Sequence, residues 1–220
     1  MKRLFAALFC LLLLPEPGAR AHPHVFIDAG LTLLFDRQGR LAAVQVFWAY
    51  DEYTSLLQLE DMGLDRDGDG VLTPDEQREL AGYDTNWVDG YEGDIYLTHA
   101  GAPISLAGPI EPGARLENGQ IVTWHIRPVI NRLTPEENHV EIKVYDPSFY
   151  VAYTVDLGVR TSGREGCDTA KLPADLGKAY DLVEELLYGP SAASDAGEDN
   201  FPMVGEHFAD TITLSCVPGS

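Results

Sequence analysis

Basic residues are scarce in this chain: 15 Lys and Arg stand against 35 Asp and Glu, a formal charge of −20. A surface of that sign repels nucleic acid and anionic lipid headgroups and attracts cations. Nucleic-acid partners are therefore excluded, and metal ions are favoured. Cysteine is nearly absent, with Cys10, Cys167 and Cys216 only. Beyond the first twenty residues no run is long and apolar enough to cross a bilayer, so no direct membrane insertion is expected. A Gly-rich phosphate loop, a G-x-S-x-G elbow and an H-E-x-x-H helix are all missing, as are internal repeats.

What the chain does carry begins at its N-terminus. Lys2 and Arg3 precede an apolar run from Leu4 to Leu14, and Ala19 and Ala21 form an Ala-x-Ala cleavage site. Together they predict a secretory signal over residues 1–21 and export to a bacterial periplasm. Phe9 before Cys10, and the apolar core beyond it, argue against a lipoprotein. Cleavage after Ala21 makes His22 the first residue, with a free α-amine, and leaves one periplasmic domain over 22–220. Cys10 departs with the signal. Cys167 and Cys216 remain as an even pair in an oxidising compartment, which favours a disulfide over metal ligation. That bond closes a loop of about 50 residues, worth roughly 4 kcal/mol in the chain-entropy model.

Hydrophobic periodicity predicts an α+β fold. Residues 25–35 and 41–50 read as a strand hairpin turned by "DRQG". Helical patterns follow over 51–63, capped by Asp51, and over 73–87, opened by Thr-Pro. After Gly93 the texture is strand-like: "DIYLTHAG", "APISLAG", "QIVTWHIRPVI", "HVEIKVYD" and "SFYVAYTVDLGV" are separated by Pro, Gly and Asn turns. A helix is expected from Pro173 to Tyr188, then a small polar loop over 189–200, then a last strand in "ADTITLSCV". The expected architecture is an antiparallel, sandwich-like β domain. It carries an EF-hand-like helix–loop–helix insertion at about 51–90 and a further helix near the C-terminus.

The stretch "DRDGDGVLTPDE", residues 65–76, matches D-x-D-x-D-G-x5-E in full. Asp65, Asp67 and Asp69 take loop positions one, three and five. Gly70 makes the turn, Val71 offers its carbonyl, Thr73 serves at nine and Glu76 is the bidentate carboxylate at twelve. The expected ion is Ca2+, bound structurally. A partner loop is missing from the sequence, and with it strong cooperativity.

A second donor set lies in "HPH" at 22–24. In extended chain His22 and His24 point to one side, and the His22 amine adds a nitrogen. This set suits zinc first and nickel, cobalt or copper next, and suits calcium poorly. The amino-terminal copper motif that uses deprotonated backbone amides is excluded, because Pro23 has no amide hydrogen. His125 shares a strand face with Thr123 and Arg127. It faces a site or solvent, and is the candidate for a third nitrogen. His207, His99, His139, Asp28 and Asp51 are weaker candidates.

The start "AHPHVFIDA", the Asp-rich loop after the first hairpin, "YDPSFY" and the terminal "FADTITLSC" resemble a family of bacterial periplasmic proteins. That family is described as the periplasmic component of an uncharacterised ABC-type transport system, often beside nickel/cobalt-type metal permeases. The resemblance implies metal handling with an inner-membrane metal transporter as partner. It spans nearly the whole mature chain and covers His22, His24, Tyr145 to Tyr150, Cys167 and Cys216. The two-lobed α/β layout of a solute-binding protein is not present. The expected function is a non-enzymatic metal-binding accessory that captures or delivers a transition metal. The rivals are a copper-dependent oxidative enzyme and a calcium-stabilised interaction module.

Overall fold

A computed structural model describes residues 22–218 except 136–138, 191, 194–196 and 198–199. The expected signal, residues 1–21, lies outside the described residues. Strand β1 (Val25–Phe35) places Ile27, Ala29, Leu31 and Leu33 on one face, all buried, with Phe26 and Asp28 exposed on the other. It pairs antiparallel with β2 (Leu41–Tyr50), in the hairpin its alternation predicts.

Helix α1 (Glu52–Met62) starts where the Asp51 carboxylate accepts the Thr54 N–H at 2.8 Å, and stops at Gly63 with φ of 67°. Helix α2 (Pro74–Leu80) has proline at its first position and a reciprocal capping box between Thr73 and Glu76. It ends seven residues before the expected Trp87. Ala81 is extended (ψ 120°) and Gly82 takes φ of 83°, a left-handed conformation that ends the helix. The rest, 82–94, is a strap that crosses the first sheet.

The remaining elements are β3 (Ile95–His99), β4 (Ala102–Ile104), β5 (Ile110–Glu117), β6 (Gln120–Leu133), β7 (Val140–Val144), β8 (Val151–Ser162), β9 (Cys167–Leu172), helix α3 (Leu176–Tyr188), a 3-10 turn at Gly205–Phe208 and β10 (Thr211–Cys216). Strands β5 and β9 were not expected. In β5, "IEPG" breaks the alternation, and Glu111 takes φ of 53°.

The strands form two five-stranded sheets, β5-β6-β2-β1-β8 and β4-β3-β7-β10-β9. Every pair is antiparallel except β1 with β8, which is parallel. That departs from the all-antiparallel expectation, and the long chain between β1 and β8 supplies the crossover a parallel pair needs. One apolar core joins the sheets, with Leu31, Leu33, Val44 and Val46 meeting Ile95, Val140, Ile142, Ile212 and Leu214. A satellite core of Leu59, Leu64, Leu80, Ala114 and Ile121 ties the two helices to β5 and β6. Another, of Phe149, Ala179, Val204 and Phe208, holds α3 and the 3-10 turn. Cys167 and Cys216 face each other across β9 and β10 and are bonded, as their even count predicts.

Candidate functional site

His22 and His24 sit beside the start of β1. His24 donates its backbone N–H to the Tyr150 carbonyl at 2.9 Å, which fixes the chain beside the start of β8. The two imidazoles meet edge to face with centroids 5.1 Å apart. His24 stacks on Tyr150 at 4.7 Å and is exposed. His22 is half-buried and abuts the Phe201 ring at 4.1 Å, so the α3 satellite core backs it. Two imidazoles sharing a tetrahedral ion, each nitrogen about 2.1 Å from the metal, have ring centres about 5.2 Å apart. The observed spacing matches that value, and it is also within the range of ordinary aromatic pairs.

The Asp-rich loop joins α1 to α2. The ligand atoms of Asp65, Asp67 and Asp69 lie within 4.8 Å of one another, and this is the one cluster of three or more His, Cys, Asp or Glu groups of that size among the described residues. Gly70, with φ of 75°, turns its N–H back to the Asp65 carboxylate at 3.2 Å. Val71 donates its N–H to the Asp69 carboxylate at 2.8 Å. Glu76 accepts from Asp65 N–H at 3.1 Å and from the Thr73 N–H and hydroxyl at 2.8 and 2.7 Å, which closes the loop on itself. The Thr73 hydrogen bonds hold the Glu76 carboxyl below its usual range, so it is anionic at neutral pH.

His125 goes elsewhere. Register places it beside Val46, which pairs with Leu31 on β1. Leu31 is seven residues beyond His24, roughly 20 Å along the strand. The structure therefore does not bring His125 to His22 and His24. Its face is neither a surface site nor solvent: Thr123 and His125 are 0% exposed and Arg127 is 2% exposed. The polar face of β6 is the buried one, because the strap covers it.

The strap builds a polar interior there. Asp84 accepts from the Thr123 hydroxyl at 2.6 Å and the Tyr50 hydroxyl at 3.0 Å, and its other oxygen has no partner among the described residues. Trp87 lies under the Arg127 guanidinium and edge-on to His125, 5.5 Å between centroids. Arg127 donates to the Ala107 and Glu92 carbonyls. Gly93, with φ of 67°, lets Arg127 and Trp87 occupy the space a Cβ would take. Asp94 accepts from Tyr91 and Tyr153, each at 2.7 Å. Burial pushes the Asp94 carboxyl up to about 6 and pushes His125 down to about 4, the latter helped by the Arg127 charge. Neither nitrogen of His125 has a hydrogen-bond partner among the described residues. The sequence signal for this interior is the polar triplet Thr123, His125 and Arg127 alternating on β6, beside Trp48, Val46 and Val44 of β2, and it looks the same for a wet face.

Three of the weaker candidates have ordinary partners. Asp28 accepts from the Thr154 hydroxyl, Asp51 caps α1, and His139 pairs with Glu141 at 3.2 Å. His207 stands exposed on the 3-10 turn, and His99 is half-buried on β3.

The family model described as "Protein of unknown function (DUF1007)" matches residues 6–216. An uncharacterized protein of Haemophilus influenzae is 24% identical over 211 residues, covering 90% of this chain and 93% of that relative.

Proposed function

We propose that this chain, which belongs to the DUF1007 family of proteins of unknown function, is a periplasmic accessory protein for a transition metal. It captures or hands over the ion, zinc first and nickel, cobalt or copper next, for an inner-membrane metal transporter. His22 and His24 hold the ion. The observation that carries this reading is the 5.1 Å spacing of their rings beside the start of β1, with His24 exposed and His22 half-buried. The acidic surface and a disulfide suited to an oxidising compartment support it.

The loop at 65–76 is proposed as an EF-hand-like structural Ca2+ site. Asp65, Asp67, Asp69 and Glu76 supply carboxylates, Val71 its carbonyl and Thr73 its hydroxyl, directly or through water. The grouped carboxylates of Asp65, Asp67 and Asp69 and the back-bonded Gly70 support that reading. Among the described residues no helix is long and apolar enough to cross a membrane, which suits an accessory that docks to its transporter. A copper enzyme using His125 as third nitrogen is not favoured, since that ring is sealed under the strap.

The test is a competition metal titration on protein secreted and processed natively, with Ca2+ held constant. The control has one alanine added before His22. One tight zinc site that weakens in the control supports the terminal site. Calcium binding alone, in both proteins, would sink the transition-metal reading.

A further inference from the structure

Helix α1 has two apolar sides. On the inner one Ser55 and Leu59 are buried: Leu59 packs with Leu64, Leu80, Ala114 and Ile121, and the Ser55 hydroxyl accepts the Ile121 N–H at 2.9 Å. In a helix that lies on a surface the opposite side is normally polar. Here it carries Tyr53, Leu56 and Leu57, which are 68%, 61% and 46% exposed. Their spacing of three and four residues makes them one contiguous stripe. Single exposed apolar residues are ordinary, whereas a contiguous patch calls for a cover. Exposed carboxylates frame the stripe, with Glu52 at its start and Glu60 and Asp61 one turn beyond Leu56 and Leu57. The helix gains nothing from the last two, because its C-terminal dipole disfavours anions and its last turn holds no basic residue. The sequence has no Lys or Arg between Arg40 and Arg66. Arg66 itself turns its guanidinium back to the Gly63 carbonyl at 2.8 Å.

We propose that this face of α1 docks a partner protein through a basic amphipathic helix. The partner's apolar side chains cover Tyr53, Leu56 and Leu57, and its Lys or Arg residues meet Glu52, Glu60 and Asp61. The docking rests on neither metal reading. Charge selects this occupant over others: an anionic lipid surface is repelled, and a second copy brings the same carboxylates to the same place. Area agrees. Three side chains at these exposures offer on the order of 300 Å² of apolar surface, against about 800 Å² per partner in a stable interface. A patch of that size suits one short helix in a complex that forms and parts.

Fluorescence anisotropy of a labelled Leu/Lys peptide, its leucines all on one helical face, tests this on natively processed protein with Ca2+ constant and no zinc. The expected result is saturable binding that weakens as salt rises, since attraction between exposed charges is screened. An isomer of the same composition, with its leucines scattered around the helix, binds about tenfold more weakly. The double variant Leu56→Ser, Leu57→Ser loses about tenfold or more. Glu60→Lys with Asp61→Lys loses a similar factor and most of the salt dependence. Ile130→Ser, at an apolar position 59% exposed on β6, leaves binding unchanged. All of these positions are exposed, so the variants keep the thermal midpoint of the parent. Equal binding of the scattered isomer, or full binding by the Leu56→Ser, Leu57→Ser protein, overturns the proposal, because charge alone then accounts for the contact. A dimer in sedimentation that Leu57→Ser dissolves makes a second copy the occupant and overturns it too. Absence of peptide binding also overturns it, and binding that then appears when 189–200 is replaced by a Gly-Ser linker gives the face to that loop.

Discussion

At the scale of single residues, the most informative groups are His125 and Asp94, buried within one polar interior and shifted in opposite directions. His125 is held neutral, at about 4 in the fold against about 6.5 in an unfolded chain. As pH falls from 6.5 to 4 the unfolded state gains its proton first, so this group costs up to about 3 kcal/mol of stability. Asp94 does the reverse. At about 6 in the fold against 3.8, it keeps its proton longer when folded, and its contribution to stability is lost as pH rises through 6. That difference is also worth up to about 3 kcal/mol. Across pH 4 to 6 the two nearly cancel. Compared with the parent, His125→Leu is therefore expected to gain about 2–3 kcal/mol of relative stability between pH 7 and 4.5. Asp94→Asn should lose a similar amount over the same span. Urea unfolding at the two pH values reads both, and equal slopes in all three proteins would show that neither group is sealed as described.

At the scale of elements, the helix–loop–helix shows why a short motif survives into structure. Its cues are local: Asp51 caps α1, Gly63 ends it, and Thr73 and Glu76 cap each other at the start of α2. If the loop binds Ca2+ at the 10⁻⁴ to 10⁻³ M typical outside the cell, 10 mM Ca2+ adds about 1.4–2.7 kcal/mol. That is a rise of roughly 3–10 °C in Tm for a chain of this size. Glu76→Gln keeps a residue able to cap at the same position but loses the anionic bidentate ligand. Its Tm is expected not to respond to Ca2+ while its Ca2+-free Tm stays within about 2 °C of the parent, and differential scanning calorimetry decides this. A Ca2+ response that survives the substitution would place the ion elsewhere. Elements whose cues are not local were read poorly. Strand β5 carries Pro112 and Gly113 and is stabilised by its partner β6, with Gly113 leaving room for the Trp124 ring. Helix α2 stops short because Gly82 begins the strap, and the strap folds down because it has Thr123 and Arg127 to meet.

At the scale of the whole molecule, two sheets share one core, and the Cys167–Cys216 bond ties β9 to β10 at the edge of the second sheet. With a loop separation of 49 residues, reduction should lower stability by roughly 4 kcal/mol. Denaturant midpoints with and without reductant test that, and an unchanged midpoint would mean the strands pair as firmly without the bond. The core itself was legible, since Leu31, Leu33, Val44 and Val46 alternate as half-buried strands do. Its polar annex was not. Alternation says which residues share a face and is silent on which face is covered, so the face of Thr123, His125 and Arg127 read as turned to a site or to solvent.

Local chemistry in the sequence thus determined the first hairpin, both capped helices, the Asp-rich loop, the cysteine pair and the adjacency of His22 and His24. Each depends on residues a few positions apart, or on a count. Tertiary structure alone decided that β1 lies parallel to β8, that the strap seals His125 away from His22 and His24, and that Phe201 backs His22. Those outcomes depend on which distant segments meet, and the burial that drives them is non-directional: it rewards covering a surface without specifying, residue by residue, what covers it.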